Sequence, residues 1–320
     1  MIDLSANENP YDYSNEILKH INNCFENINR YLEYKELDEL VKEIGDYCET
    51  EKNRIIVGSG TDKLIQKVIL KFFKNRDLVI LNPNFYKSVN LAKDLGMKIR
   101  RVQLKTPIFY INWKSMKIKN SIVIIDYPNN PTGQFLIKRE ELVELLNNNN
   151  NNIVIIDEAG YEYSKETFID LVEKYKNLMI TRTFDKGFGL AGLKISYMVA
   201  GDNILEKVDQ VVDINRPAFL GALEVLKNKD YIKEDISEAL IQRNFVKKSL
   251  IDLGLKVYES EANFLLVKAD LLDLALQLRK KEILIEDLSG FWLDGYYRIS
   301  IGNSEENKKI IDEIKIIFEK

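Results

Sequence analysis

The chain has 320 residues, of which 45% are hydrophobic and 30% are charged, and its net charge is −4. This composition is typical of a globular protein that buries its own core, and it excludes a disordered chain or a small disulfide-stapled scaffold. A mildly acidic chain without a basic face is a poor candidate for nucleic-acid binding. No apolar run approaches the ~18 residues of a membrane span, and the start of the chain lacks a signal-peptide pattern. We therefore expect a cytoplasmic protein with no membrane partner.

The two cysteines and the single histidine form no metal-binding or disulfide pattern, so we expect no metal site.

The first two thirds of the chain alternate short apolar runs with amphipathic segments. Runs such as Ile122–Ile125 are continuously apolar, which is typical of strands buried on both faces. The predicted strands are Arg54–Val57, Leu78–Leu81, Ile99–Leu104, Ser121–Asp126, Ile153–Asp157, Leu178–Thr183 and Ile195–Ala200. The predicted helices between them are Asp62–Phe73, Tyr86–Leu95, Lys138–Leu146 and Thr167–Lys176. This alternation predicts an α/β fold, in which helices sandwich a mostly parallel seven-stranded sheet.

The pattern changes after about Gly201, where a smaller α+β domain is expected. Its predicted elements are helices at Tyr231–Leu253, at Leu271–Lys281 and from Ser304, and strands at Lys256–Tyr258, Asn263–Lys268, Ile283–Glu286 and Tyr297–Ile301. We therefore expect a large domain over residues 31–215 and a small C-terminal domain over residues 216–320. Residues 1–30 are expected to form an N-terminal segment that packs with the small domain.

Two loops are candidates for ligand binding. The segment Gly58–Ile65 follows a strand and opens a helix, where free N–H groups can hold a phosphate, although an ordinary capped turn explains it equally well. The segment Asp126–Gly133 contains two prolines and a glycine, which fix a loop at the carboxyl end of a buried strand. Proteins of the α/β class place their ligands at that end.

Two further segments carry ionisable groups. Asp157 ends an apolar strand, and a buried carboxylate of this kind should face a cation. Lys186 follows another strand and lies in a glycine-rich turn that ends near Lys194. Most lysines are simply solvated, but the small residues around Lys186 favour a close approach of the backbone to a ligand.

These four segments, in this order, resemble the fold-type I pyridoxal-phosphate enzymes of the class I/II aminotransferase family. The nearest likeness is to the branch that holds histidinol-phosphate aminotransferase and threonine-phosphate decarboxylase. The likeness extends to Ser5–Pro10, Arg30–Tyr31, Ala262–Phe264 and Tyr297–Gly302. It implies an aspartate-aminotransferase-like fold and pyridoxal 5'-phosphate as the cofactor. It also implies transfer of an amino group from an amino acid or amino alcohol phosphate to a 2-oxo acid such as 2-oxoglutarate.

The resemblance also implies roles for individual residues. Lys186 forms the Schiff base with the cofactor and shuttles the proton, and Asp157 pairs with the pyridine nitrogen. Asn130 binds the phenolic oxygen of the ring, and Phe85 stacks on the ring. Other cofactor contacts are assigned to Gly60, Thr61, Asp62, Tyr161, Thr183 and Lys194, and to Tyr31 from a neighbouring subunit, which implies a homodimer. Substrate contacts are assigned to Asn7, Arg298 and Glu286, with Arg298 gripping the substrate carboxylate.

Four positions depart from the family pattern. Lys194 stands where arginine is usual, so the planar guanidinium contact with the phosphate is lost. Asp185 stands where serine is usual and must point away, pair with a lysine or weaken cofactor binding. Gly160 replaces an aromatic residue, for which Tyr161 is a candidate substitute. Glu286 replaces an arginine that helps to bind an anionic substrate, so it repels a phosphorylated donor unless it turns outward.

Two alternatives to an aminotransferase remain open. One is a decarboxylase of an O-phospho amino acid, because residues Ser289–Arg298 look somewhat like that side of the branch. The other is a non-catalytic protein of the same fold, which the four departures keep open. A nicotinamide-binding protein is disfavoured, because no GxGxxG motif opens the first strand–helix unit.

Overall fold

The structure is a computed structural model that describes residues 1–13, 18–19, 22–25, 28–84, 88–147, 151–209 and 211–319. Phe85, which the sequence assigned to the cofactor ring, lies outside the described residues, as does Tyr86 at the start of a predicted helix. Two sheets organise the described part of the chain.

The strands are β1 (Ile2–Leu4), β2 (Ile55–Gly58), β3 (Asp77–Asn82), β4 (Ile99–Gln103), β5 (Ser121–Asp126), β6 (Ile153–Asp157), β7 (Leu178–Thr183), β8 (Ser196–Ala200), β9 (Val211–Val212), β10 (Lys256–Val257), β11 (Phe264–Lys268), β12 (Ile283–Asp287) and β13 (Tyr296–Ser300). The helices are α1 (Tyr34–Cys48), α2 (Thr61–Phe72), α3 (Ser88–Asp94), α4 (Arg139–Asn147), α5 (Tyr161–Ser164), α6 (Asp202–Leu205), α7 (Arg216–Lys227), α8 (Tyr231–Asp252), α9 (Leu274–Arg279) and α10 (Ser304–Phe318). Short 3-10 turns lie at Asn23–Phe25, Lys52–Arg54, Trp113–Ser115, Ile169–Leu171 and Ser289–Phe291.

The larger sheet confirms the predicted α/β fold. Its strand order is β4-β3-β5-β6-β7-β8-β2-β9, in which β8 runs antiparallel to both of its neighbours. The seven predicted strands are all present, and the two-residue β9 is added at one edge. Successive residues of β5 enter opposite cores, with Val123 and Ile125 in one and Ile122 and Ile124 in the other. Burial on both faces explains why the positions from Ile122 to Ile125 are all apolar.

The predicted helix Thr167–Lys176 is wrong. Its place is taken by the 3-10 turn Ile169–Leu171, followed by turns. The buried Glu158 carboxylate accepts hydrogen bonds from the Thr167 hydroxyl and the Phe168 backbone N–H, which fixes the start of this segment. Tertiary contacts thus override the apolar pattern of the segment.

The second sheet has the order β1-β12-β13-β11-β10, and β1 runs parallel to β12. One face of this sheet packs against α8, α9 and α10 around a separate apolar core. The helix α7, which begins at the predicted domain boundary, contributes Phe219 and Ala222 to a core of the larger sheet and packs against α1. The division at residue 215 stays a prediction.

Among the residues described, no helix has both the length and the apolarity that a membrane crossing requires.

Candidate active site

A cavity of about 260 Å³ opens at the carboxyl ends of β5, β6 and β7, facing the loop that enters β11. Parallel strands bring their carboxyl ends to one edge of the sheet, where polar side chains escape the apolar core. The cavity wall includes seven residues to which the resemblance assigned a role: Asn7, Thr61, Asp62, Asn130, Asp157, Thr183 and Lys186. Residues from both ends of the chain therefore meet at one site.

Asp157 is the last residue of β6 and is 9% exposed. Burial raises the pKa of Asp157 to about 7, and the negative charge of Asp62 adds to the rise. The Thr181 hydroxyl donates a hydrogen bond to Asp157 Oδ1 over 3.0 Å, which opposes that rise. Because a cation beside a carboxyl lowers its pKa, Asp157 is suited to take a protonated ring nitrogen as its partner.

Asp126 is a second acid in the same wall, to which the sequence analysis gave no role. It ends β5 and lies beside Asp157 in the strand register. Burial raises the pKa of Asp126 well above its usual range, and the charge of Asp157 adds to the rise. The signal that identified Asp157, an acid at the end of an apolar strand, applies equally to Asp126.

Lys186 lies in the turn after β7, and its Nζ donates a hydrogen bond to the Ala6 carbonyl over 2.7 Å. Burial lowers the pKa of Lys186 to about 8. Asp185 opposes this shift, while the positive charges of Arg298 and Lys194 add to it. A lysine of this kind is partly neutral near physiological pH and can act as a nucleophile.

Asp185, which stands where serine is usual, pairs with a lysine, and that lysine is Lys194. Lys194 Nζ lies 3.4 Å from Asp185 Oδ2. Burial raises the pKa of Asp185, and Lys194 and Lys186 oppose the rise. Lys194 is not in the cavity wall, and its side chain is 66% exposed.

The end of the cavity at the start of α2 is suited to a phosphate group. Gly60 precedes the helix with φ +86°, which glycine tolerates and other residues rarely adopt. Thr61 and Asp62 begin the helix, where N–H groups lack intrahelical acceptors and favour an anion. Thr183 also lies in the cavity wall, and its hydroxyl accepts hydrogen bonds from Ser196 Oγ and the Asp185 N–H.

Arg298 reaches the site from β13 and is 4% exposed. Its Nη1 donates to Asn130 Oδ1 over 2.6 Å, and its Nη2 donates to the Ser5 carbonyl. Burial lowers the pKa of Arg298 to about 10. Because the Asn130 oxygen accepts from Arg298, the amide NH₂ of Asn130 is the group that this contact leaves for a ligand oxygen.

The N-terminal segment closes one side of the site. Asn7 adopts φ +54°, and its backbone N–H donates to Ser300 Oγ over 2.9 Å. Asn263 Nδ2 donates to the Asn7 carbonyl over 3.0 Å. These contacts hold the segment against β13 and the entry to β11, beside Lys186.

Several predicted residues do not contribute to the cavity wall: Gly60, Lys194, Arg298, Glu286, Tyr161 and Tyr31. The Tyr161 ring stacks on the guanidinium of Arg182, whose Cζ lies 3.3 Å from the ring centroid. Gly160, not Tyr161, contributes to the cavity wall. Tyr31 is 99% exposed, so its side chain contacts little of its own chain.

The residues present fit pyridoxal phosphate, because four different groups of the cavity match four parts of that molecule. A lysine amine is available for an aldehyde, and a helix start is available for a phosphate. The Asp157 carboxyl suits a protonated pyridine nitrogen, and the Asn130 amide suits a phenolic oxygen. The fold and this set of groups define a fold-type I pyridoxal-phosphate-dependent enzyme.

The chain belongs to the aminotransferase class I and II family, whose model matches residues 1–314. It is 33% identical to the histidinol-phosphate aminotransferase of Pyrococcus furiosus, over 99% of this chain and 92% of that protein. Membership of this family makes the chain a pyridoxal-phosphate-dependent aminotransferase.

Solved structures share the fold. The histidinol-phosphate aminotransferase of Clostridium acetobutylicum matches with a TM-score of 0.88 and 24% identity, covering 100% of this chain and 99% of that one. The L-threonine-O-3-phosphate decarboxylase of Porphyromonas gingivalis matches with a TM-score of 0.83 and 20% identity, covering 100% of both chains. At such identities the likeness concerns the fold alone.

Proposed function

We propose that the chain moves an amino group from a small donor to a 2-oxo acid such as 2-oxoglutarate, with Lys186 and Asp157 as the catalytic residues. One observation carries the proposal: an amine with a lowered pKa and a carboxyl with a raised pKa face the same cavity. Pairs of titratable groups whose surroundings shift their pKa values in this way are typical of catalytic sites.

The protein residues divide the work. Bound pyridoxal phosphate supplies an electron sink for the negative charge that develops on the donor's amine-bearing carbon. Asp157 holds the proton on the ring nitrogen, and Asn130 donates its amide N–H to the phenolic oxygen. Lys186 Nζ would take the proton from the donor's amine-bearing carbon, since a desolvated amine is a good base, and would release it on the cofactor side of the nitrogen.

The phosphate is assigned to the start of α2, through Gly60, Thr61 and the backbone of Asp62. Thr183 and Lys194 complete this set, and Lys194 would leave its pairing with Asp185 to join it. Phe85 and Tyr161 stay predicted ring contacts.

The donor is an amino acid or an amino alcohol phosphate, with its anionic group on Arg298 and with Asn7 beside it. Arg298 is buried and its guanidinium fits a two-oxygen anion. The relatives named histidinol-phosphate aminotransferase support amino alcohol phosphates as candidates. The Glu286 carboxylate lies near the same guanidinium, with Oε2 4.0 Å from Arg298 Nη2.

We also propose a homodimer in which Tyr31 reaches the phosphate of the neighbouring subunit. The almost complete exposure of this aromatic side chain supports the proposal. We further propose a cytoplasmic location. The proposed domains are a large one over residues 31–215 and a small one over residues 216–320, with residues 1–30 packed against the small domain.

The test compares wild-type protein with Lys186→Ala and with Lys308→Ala, an exposed lysine of α10. Each protein is loaded with pyridoxal phosphate and given a panel of donors with 2-oxoglutarate. We expect glutamate to form with wild type and Lys308→Ala, and not with Lys186→Ala. Amino transfer by Lys186→Ala would contradict the proposal, and release of carbon dioxide without glutamate would favour the decarboxylase. Failure of wild type to retain the cofactor would favour a non-catalytic role.

A further inference from the structure

Glu286 lies on the face of the second sheet that looks toward the cavity. Side chains alternate between the two faces of a strand. Ile283 and Ile285 of β12 enter the apolar core on the far side of the sheet, so Glu286 lies on the near side. Its register partner on β13 is Arg298, and Phe264 of β11, on the same face, lines the cavity.

The Glu286 carboxylate lies close to the guanidinium of Arg298, the residue proposed to bind the donor's anionic group. Glu286 Oε2 lies 4.0 Å from Arg298 Nη2, and the Glu286 side chain is 32% exposed while that of Arg298 is 5% exposed. The remaining partners of Arg298 described above are neutral oxygens from Asn130 and Ser5. A donor anion that approaches Arg298 therefore also approaches a negative charge.

That charge penalises donor anions in proportion to their own charge. A carboxylate carries one negative charge, whereas a phosphate monoester carries about −1.5 to −2 near pH 7. The Coulomb energy between Glu286 and the donor scales with this charge, so a phosphate meets nearly twice the repulsion at the same distance. Partial burial of the pair limits screening by salt.

We infer that Glu286 makes this site selective for donors that present a carboxylate to Arg298, over donors that present a phosphate monoester in the same place. The inference rests on the proposed function, in which Arg298 receives the anionic group of the donor, and it narrows the donor class to amino acids. The preferred donor of this chain would then differ from histidinol phosphate, the compound in the names of its relatives.

The test uses two donors that differ at one group. Histidine and histidinol phosphate share the imidazole side chain and differ in one substituent of the amine-bearing carbon, which is a carboxylate in histidine and a CH2–O–phosphate ester in histidinol phosphate. The variant Glu286→Gln removes the charge and keeps the shape. The control Asp287→Asn removes the same charge one residue away, on the opposite face, where Asp287 is exposed and pairs in register with Tyr297.

We expect wild-type holoenzyme to have the higher kcat/KM with histidine. In Glu286→Gln, the ratio of kcat/KM for histidinol phosphate to that for histidine should rise by about tenfold, chiefly through KM, because the additional negative charge of the phosphate no longer meets the Glu286 carboxylate. Asp287→Asn should leave the ratio within about twofold, as expected for an exposed charge. A wild-type preference for histidinol phosphate, or an unchanged ratio in Glu286→Gln, would overturn the inference.

Equilibrium binding separates this inference from the proposed function. In Lys186→Ala protein loaded with pyridoxal phosphate, calorimetry gives the dissociation constants of both donors without turnover. The ratio of the two constants should shift by the same factor when Glu286→Gln is added. If wild type forms glutamate with no donor of the panel and the binding ratio still shifts, the proposed amino transfer fails and the selectivity stands. If turnover occurs and neither ratio shifts, the selectivity fails alone.

Discussion

Replacing Arg182 by methionine tests how much the buried ion pair between Arg182 and Glu158 contributes to the stability of the fold. Arg182 lies in β7 and is 2% exposed, and its partner Glu158, the residue after Asp157, is fully buried. Arg182 donates to Glu158 Oε2 from Nε over 3.0 Å and from Nη2 over 2.9 Å. It also donates to the Thr167 hydroxyl over 2.8 Å.

The expected loss is large because the variant leaves a buried carboxylate without its cation. Removing one member of a buried ion pair typically costs about 3–5 kcal/mol of the free energy of unfolding. The matched control is Arg139→Met, which breaks an exposed pair with Asp170, whose side chains are 45% and 60% exposed. Exposed pairs contribute about 0–1 kcal/mol, so the control should lose far less.

The loss should also depend on pH. Burial raises the pKa of Glu158, and Arg182 opposes that rise. Without Arg182 the pKa of Glu158 in the folded protein rises further above its value in the unfolded chain. A carboxyl whose pKa is raised by folding contributes stability at pH values below its pKa in the unfolded chain. This contribution is lost as the pH rises through its pKa in the folded protein. The deficit of Arg182→Met should therefore be larger at about pH 8 than at about pH 5.

Urea unfolding of both variants and wild type, followed by circular dichroism at the two pH values, measures this deficit. A loss of less than about 1 kcal/mol for Arg182→Met would refute the reasoning, since that is the range of a surface pair. A deficit of equal size at both pH values would refute the assignment of the loss to Glu158.

Three further predictions follow from the same contacts. Asp126→Asn should raise the free energy of unfolding more at about pH 8 than at about pH 5, because the raised pKa of Asp126 makes its ionised form unfavourable in the fold; urea titration at both pH values checks this, and a variant less stable than wild type at the higher pH contradicts it. The rate at which apoprotein attaches pyridoxal phosphate should rise with pH and level off above about 8, the pKa of Lys186; stopped-flow absorbance measures it, and a flat profile contradicts it. Gly187→Ala should lose about 1–3 kcal/mol, because the new Cβ collides with the buried Glu162 side chain, whereas Gly192→Ala meets no atom within 4 Å; equal thermal stability of the two variants contradicts it.

The sequence predicts the larger sheet well because each strand carries its own signal. The strands Ser121–Asp126, Ile153–Asp157 and Leu178–Thr183 begin and end at the predicted residues. They are buried on both faces, so most of their positions are apolar until the chain reaches the site, and the buried Arg182 of the third strand is paired with Glu158. The site therefore begins where that run ends, which is why Asp157 could be singled out from the sequence alone.

Other features depend on contacts that no local pattern reports. The segment Thr167–Lys176 has enough apolar residues for a helix, but the Glu158 carboxylate fixes its first residues in another conformation. The pairing of Lys194 with Asp185, and that of Arg298 with Asn130, depend on how distant segments meet. The stacking of Tyr161 on Arg182 likewise requires the folded chain.

The most direct test of the account is to locate the cofactor on the chain. Reduction of the holoprotein with borohydride fixes a lysine-bound cofactor covalently, and peptide mass spectrometry then identifies the lysine. The account predicts the added mass on the peptide that contains Lys186, and its loss in Lys186→Ala. Added mass on Lys194 or another lysine, or no added mass in protein that retains the cofactor, would contradict the assignment of Lys186 as the catalytic amine.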